Sequence, residues 1–386
     1  MHIAIDIRPL MHKERTGVGM YTHGLLDAVF QVDTDTTYYL FYNSYADLSA
    51  HIPVWSQKNV HIIHTRWPNK LLHILVLLKC MALDKLVLRY IHKHISDKVD
   101  HLDYFFSPNI HFTHISKKTK HILTMHDLTF ALVSYTYSWR RRLWHWFLRP
   151  KQQCAQAQSI VVPSDHTAQD LVALWGVPRE KITVLSPGVG AEFLAHISDP
   201  LQDAAVRKQY ALPNKYVLFL GTLEPRKNVC SLIEAFCRSG IRDMGYTLII
   251  AGPRGWKDTP ILHAIERSRG VAYIGYVAPE DKPILYRLAT LFVYPSWYEG
   301  FGLPVLEAFT VGTPVITSNR SSLPEVAGDA AYLVHPENIS DIAEGLRRLV
   351  QGTAVQHILQ RKGYTVAKKF SWRKSADTFL AILRAA

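Results

Sequence analysis

The sequence predicts an α/β protein built as two doubly wound domains that face each other across a cleft, and three observations predict it. Its 386 residues exceed what one hydrophobic core organises and suit two domains of ordinary size. Short, continuously apolar runs alternate with helical patterns from end to end, as parallel strands covered on both faces require. The runs form two successive sets, parted by the turn-rich stretch SPGVGAEFL at 186–194. We therefore expect domains over 1–190 and 191–370, with 371–386 forming a terminal helix that crosses back to the first.

The first set holds seven strand-like runs: HIAIDI (2–7), YYLFY (38–42), VHIIHT (60–65), DYFFS (103–107), HILTM (121–125), SIVVPS (159–164) and ITVL (182–185). Asp6 and Arg8 interrupt the opening run, so it reads as a buried strand rather than a signal peptide. Helices are expected between the runs at 18–31, 70–95, 138–157 and 165–174. The second set has five runs: YVLFLG (216–221), YTLIIAG (246–252), VAYIG (271–275), LFVYPS (291–296) and PVITS (314–318). Its helices are expected at 228–238, 281–289, 304–311 and 340–350, and 353–386 reads as helical.

Composition narrows the class. Hydrophobic residues at 48% with 20% charged mark a globular chain. Cys80, Cys154, Cys230 and Cys237 are unclustered and read as free thiols of a reducing compartment. The apolar stretch at 71–91 carries Lys79, Asp84, Lys85 and Arg89, which argues against a membrane span. Net charge is +12, with Lys+Arg against Asp+Glu at 21 to 14 before residue 191 and 23 to 18 after it. One dense basic stretch stands out, SYTYSWRRRLWHWFLRPK at 134–151, with Arg140, Arg141, Arg142 and Trp144 at its centre. It suits anionic lipid, nucleic acid or an anionic substrate, or else a helix with its apolar side on the core and its arginines in water. The histidines are scattered without metal-ligand spacing, so no metal site is expected.

The unusual residues follow strands, where open α/β sheets bind ligands. Gly17 and Gly19, after the first strand, free the backbone to approach an anion at a helix start, although a plain strand-to-helix turn explains them too. They lack the third glycine of a dinucleotide fingerprint and the lysine of a P-loop. His126, after the fifth strand, can bond a sugar hydroxyl or be a buried histidine satisfied by backbone. Arg226 and Lys227 precede a helix capped at Asn228, where two cations oppose the helix dipole unless an anion joins them. In YEGFGLPVLEAF (298–309), Glu299 falls in a loop and Glu307 one turn into the helix that Pro304 opens. The N–H groups of Phe301, Gly302 and Leu303 at that helix start suit a phosphate. The two carboxylates would then bracket a molecule whose charged middle lies on the helix end, with Glu307 accepting from two neighbouring ribose hydroxyls.

GTLEPRKN, VPSDHTAQDL and the stretch from YPSWYEGFGLPVLEAF to GDAAYLV resemble the retaining glycosyltransferases of family 4, whose GT-B fold pairs two Rossmann-like domains. The resemblance runs from first strand to last helix, is most specific over 216–334, and lies nearest the mannosyltransferase branch. It implies an acceptor-binding domain at 1–190 and a nucleotide-sugar domain at 191–370. It also implies a donor site of Gly17, Gly19, Thr222, Arg226, Lys227, Tyr276, Val277, Glu299, Gly300, Phe301, Gly302, Leu303 and Glu307, and catalytic roles for His126, Arg226, Lys227 and Glu299. Thr222 departs from the pattern, standing where many relatives carry arginine.

The expected reaction is metal-independent transfer with retention, without a cofactor, from a nucleotide-sugar. GDP-mannose is favoured, and a glycan or lipid-linked acceptor of bacterial surface polysaccharide receives the sugar. Growing negative charge on the departing diphosphate would be met by Arg226, Lys227 and the helix end. The expected location is cytoplasmic, with the inner face of the plasma membrane as the contact for Arg140, Arg141, Arg142 and Trp144; nucleic-acid binding is not expected. The alternatives are a UDP-sugar transferase (glucose, galactose or N-acetylglucosamine) with a soluble acceptor, or a catalytically silent nucleotide-sugar-binding subunit.

Overall fold

The computed structural model describes residues 1–12, 17–95, 99–194 and 199–385. Contacts divide the chain into two compact units. One comprises Met1–Leu128, Leu143–Gly188 and Ser371–Ala386, and the other Thr129–Arg142 with Val189–Phe370. The sequence boundary at 190 assigned 129–142 to the first domain; the contacts group it with the second. The reason is local. Trp256 Nε1 donates to the Thr136 carbonyl at 2.9 Å, Lys257 Nζ donates to that of Tyr135 at 2.8 Å, and the Arg141 guanidinium lies 4.0 Å from the Trp256 ring centre.

The first unit is built on seven parallel strands: β1 (His2–Asp6), β2 (Thr37–Asn43), β3 (Val60–Thr65), β4 (Tyr104–Ser107), β5 (Lys120–Thr124), β6 (Ser159–Val162) and β7 (Ile182–Val184), in the order β3-β2-β1-β4-β5-β6-β7. Side chains alternate across a strand, and here both faces are covered. Ile3, Ile5, Tyr38, Leu40 and Phe106 pack with the helix Gly17–Val32 and the terminal helix Trp372–Ala385. Ala4, Tyr39, Phe41 and Phe105 point the other way, against the helices Asn69–Leu77 and Leu83–His94. That is why the strands read as unbroken apolar runs.

Two expected helices are each broken. The stretch at 70–95 splits where Lys79 takes φ 58°, and the stretch at 138–157 forms Trp139–Leu148 and Pro150–Gln156, parted by Arg149 at φ 50°. Pro150 explains the second break: a residue before proline is pushed out of the right-handed helical region, and proline itself suits the first position of a new helix.

The second unit has six parallel strands: β8 (Tyr216–Leu220), β9 (Thr247–Ala251), β10 (Val271–Gly275), β11 (Leu291–Tyr294), β12 (Val315–Ser318) and β13 (Ala331–Val334), ordered β10-β9-β8-β11-β12-β13. The strand β13 was not expected. It is a four-residue edge strand with only Val334 buried, so it lacks the apolar run that marks the others. The order reverses between β8 and β11, which opens a crevice at their carboxyl ends. The loops there are pulled tight. A Cβ on Gly252, which has φ 125°, would lie 2.2 Å from the Gly221 carbonyl oxygen, so only glycine fits.

Candidate active site

The crevice is lined by two loops, 221–228 after β8 and 295–302 after β11. Asn228 ties them together. It takes φ 60°, and its amide donates to the carbonyls of Pro295 and Pro336 at 3.2 and 2.6 Å. It therefore clamps loops rather than capping the helix Val229–Ser239 with its side chain, as the sequence had suggested.

The clamp holds a buried charge cluster. Arg226 Nη1 donates to Glu299 Oε2 at 2.7 Å and to the Tyr298 carbonyl at 3.0 Å, and Arg226 Nε pairs with Glu224. Lys227 Nζ donates to Glu299 Oε1 at 2.6 Å and to the Tyr294 hydroxyl. Glu299 thus offers one oxygen to each cation. Its backbone is fixed as well: Ser321 Oγ accepts from its N–H, and Ser322 Oγ donates to its carbonyl, both at 2.9 Å.

Two carboxylates and two cations make the cluster formally neutral, and the electrostatics follow from burial. Burial works to raise the Glu299 carboxyl, but Arg226 and Lys227 outweigh it and hold it at about 2. Burial pushes Glu224 above the usual carboxylate range, against the pull of Arg226. Lys227 is lowered by burial, with Arg226 adding to the effect. The two basic residues are therefore preorganised but already neutralised. An incoming anion would have to replace Glu299 as their partner.

Beside the cluster the helix Leu303–Thr310 begins at Gly302, which has φ 106°. A Cβ there would meet Leu323 Cδ2 at 2.7 Å, so glycine is required by conformation and by space. Helix geometry leaves the first N–H groups without intrahelical partners, and they point along the axis toward any ligand. Phe301 anchors the turn by packing edge-on against Phe370. Gly300 and Leu303 complete the turn on either side of it. Glu307, one turn in and half-buried, accepts from the Tyr286 hydroxyl at 2.8 Å, and burial raises its pKa.

Similarity to known proteins agrees with this architecture. Residues 203–366 match the model described as Glycosyl transferases group 1, and residues 39–193 match that of Glycosyltransferase Family 4. O-antigen chain mannosyltransferase B of Escherichia coli is 34% identical over 280 residues, which is 71% of this chain and 72% of that protein. The chain belongs to glycosyltransferase family 4. A second relative, serotype-specific mannosyltransferase WbdA of E. coli, is 28% identical over 276 residues, and there the match spans only 34% of the larger protein. Among solved structures, Anabaena Alr3699/HepE in complex with UDP and glucose superposes with TM-score 0.72 at 16% identity, and WaaG, a glycosyltransferase involved in lipopolysaccharide biosynthesis, with 0.69 at 16%; each comparison covers both chains in full. The fold is GT-B.

The remaining expected residues of the glycosyltransferase fall in several places. Thr222 sits in the turn after β8, beside Gly255. Tyr276 is exposed, whereas Val277 turns into the core, which leaves only its backbone to meet a base. In the first unit, Gly17 and Gly19 lie within the first turn of the helix Gly17–Val32 rather than in a loop before it. Gly17 keeps a φ open to any residue, and a Cβ there would meet nothing within 4 Å. The preceding residues 13–16 lie outside the described residues. His126 Nε2 donates to the Pro108 carbonyl at 2.8 Å, its ring meets Tyr21 edge-on, and burial lowers its pKa, so the imidazole is neutral. Arg140, Arg141, Arg142 and Trp144 are exposed. Sequence reasoning missed Glu224, Tyr294 and Tyr286. Glu224 stood in GTLEPRKN, two residues before Arg226. The two tyrosines end apolar runs and look like core until their hydroxyls find Lys227 and Glu307.

Proposed function

We propose that the protein is a retaining, metal-independent hexosyltransferase that moves mannose from GDP-mannose onto a glycan or lipid-linked acceptor in bacterial surface-polysaccharide synthesis, working in the cytoplasm at the inner face of the membrane. The observation that carries this reading is the Arg226–Lys227 pair, held by Glu299 at the β8–β11 crevice beside the start of the helix Leu303–Thr310. The choice of mannose and of the pathway is supported by the similarity to O-antigen chain mannosyltransferase B of E. coli.

In this reading the donor diphosphate takes the place of Glu299 against the two cations. As the sugar–phosphate bond breaks, charge grows on the phosphate oxygens and is met by Arg226, Lys227 and the N–H groups at the helix start. These groups cost no reorganisation at that moment, because the protein already holds them in place. Glu299, released, turns to the donor sugar, and Glu307 accepts from the ribose hydroxyls. His126, neutral and anchored through Nε2, contacts the sugar. Retention calls for the acceptor to enter on the face from which the diphosphate leaves, with that diphosphate accepting the acceptor's proton.

The test is transfer from radiolabelled GDP-mannose, UDP-glucose, UDP-galactose and UDP-N-acetylglucosamine to lipid-linked and glycan acceptors, with and without a chelator. We expect GDP-mannose turnover that survives chelation and gives an α-linked product by NMR. Turnover with a UDP-sugar alone would reassign the donor, and a β-linked product would reject retention. No turnover with any donor would reject the transferase reading.

A further inference from the structure

We infer that the first unit carries a docking face for an anionic lipid bilayer, built from the outer sides of the helix Asn69–Leu77 and of Leu143–Leu148, the part of the helix Trp139–Leu148 that belongs to this unit. This extends the membrane part of the preceding reading, and vesicle binding tests it without any sugar transfer. Leu71, Ile74 and Leu78 fall at i, i+3 and i+7, one helical face, and all three are exposed, Leu78 at 66%. Buried Leu72 and Val76 hold the opposite face of that helix on the core. On the second helix Leu143, Trp144 and Trp146 are exposed, Trp146 at 68%, and only Leu148 of its ten residues is buried. The helix therefore does not lay its apolar side on the core, which was one of the two readings left open by the sequence. The two segments meet: Val76 and Leu77 from the first and Phe147 and Leu148 from the second line one recess of about 50 Å³.

Charge and polarity say what covers this surface. Within the first unit, residues 66–83 and 143–151 contain five Lys and Arg and no acid. Lys79 and Arg149, each at a helix break with positive φ, stand at the recess. Inside it the buried Gln153 has its amide nitrogen committed to the carbonyls of His111 and Leu148, while its Oε1 and the Thr113 hydroxyl have no hydrogen-bond partner among the described residues. A phosphate between Lys79 and Arg149, bearing a hydroxylated head group that donates to Gln153 Oε1, supplies both needs. Tryptophan and leucine beside it suit the acyl boundary, as amphipathic interfacial helices require. No helix among the described residues is long and apolar enough to cross a membrane, so contact would be made by this face.

The experiment is flotation of the full chain with vesicles of phosphatidylcholine alone or with 30 mol% phosphatidylglycerol (on the order of physiological anionic content), at low and high salt. We expect binding only with phosphatidylglycerol, weakened by salt. The variant Lys79→Asn/Arg149→Asn removes both charges while keeping residues that accept left-handed backbone, and should bind roughly 20-fold more weakly. The variant Ile74→Ser/Leu78→Ser/Trp146→Ser removes exposed contacts only, so it should keep the wild-type melting curve and lose flotation. The control Arg347→Gln, on the other unit, should float like wild type. Absence of wild-type flotation, equal binding to neutral vesicles, or unchanged binding of both multiple variants would overturn the proposal. So would displacement from vesicles by soluble glycerol phosphate, which would make the occupant of the recess a free phosphate. Flotation with no sugar transfer would reject the enzymatic reading while leaving the docking face standing.

Discussion

The two units share one strand order, with the first strand central and a reversal beside it, yet their switch points hold charge differently. At β1, Asp6 and Arg8 form a closed pair. Arg8 Nε reaches both carboxylate oxygens at 2.8 and 3.0 Å, and its Nη2 donates to Asp6 and the Phe112 carbonyl. Every strong group there is spent on a neighbour two residues away or on backbone. At β8 the cations are adjacent in sequence, and one carboxylate 72 residues from Lys227 divides its oxygens between them. A bidentate Arg–Asp fork stiffens a turn; in the proposed mechanism the shared glutamate is the partner that a donor diphosphate replaces. The lesson is that burial and charge alone do not mark a site. What the proposed mechanism adds at β8 is a counter-ion shared by two cations, whose place an incoming diphosphate would take.

That contrast can be broken by mutation. The largest effect is expected from Asp6→Asn, which strands Arg8 in the interior and should cost about 3–5 kcal/mol of stability. Denaturant melts would show the loss, while calorimetry should find nucleoside-diphosphate affinity unchanged. Lys227→Ala should do the reverse at the level of function, lowering transfer by roughly 10²–10³-fold as read by initial rates with labelled donor. If Asp6→Asn abolished donor binding, or Lys227→Ala left turnover intact, the two switch points would not differ as argued.

A smaller effect sharpens the same point. Glu299→Gln removes the anion that competes for Arg226 and Lys227, so GDP should bind tighter, by about tenfold or 1.4 kcal/mol, even as transfer falls. Weaker GDP binding would mean that Glu299 positions the cations rather than occupying them. The smallest effect is expected from acid. Glu299 has a folded pKa of about 2, below its ordinary 4.5, so its stabilising contribution is present above pH 4.5 and lost as pH falls toward 2. Glu224 is shifted the other way, so its contribution is full at low pH and fades as pH rises through its raised value. The two oppose each other, and acid melts of wild type should show a shallower loss than those of Glu224→Gln.

Much of this was legible in the sequence. All seven strands of the first sheet and five of the six in the second announced themselves, because strands covered on both faces are mostly apolar. The edge strand β13 escaped because one of its sides needs no apolar cover. Helix breaks at Lys79 and Arg149 were hidden, since hydrophobic periodicity continues across them and only Pro150 gave a local sign. In the site, Arg226, Lys227 and Glu299 could be named from loop positions, but their mutual pairing could not, because it depends on β8 and β11 lying side by side. The same holds for Tyr294, which the strand β11 places beside Lys227, and for Tyr286, which the helix Lys282–Leu288 places beside Glu307.

The terminal helix Trp372–Ala385 has a consequence for how the molecule is made. Ala376, Phe379, Leu380 and Leu383 belong to the core that includes Ile3, Ile5 and Leu25, and the Phe379 ring lies tilted against that of Phe106 with centres 4.7 Å apart. A ribosome therefore delivers the opening strands long before the piece that seals them, with the whole of Val189–Phe370 emerging in between. Unlike a chain whose segments mature in order of synthesis, this one leaves the sheet around β1 half-dressed until Trp372–Ala385 has been made. Nascent chains stalled short of Trp372 should be captured by chaperones through that bare inner surface.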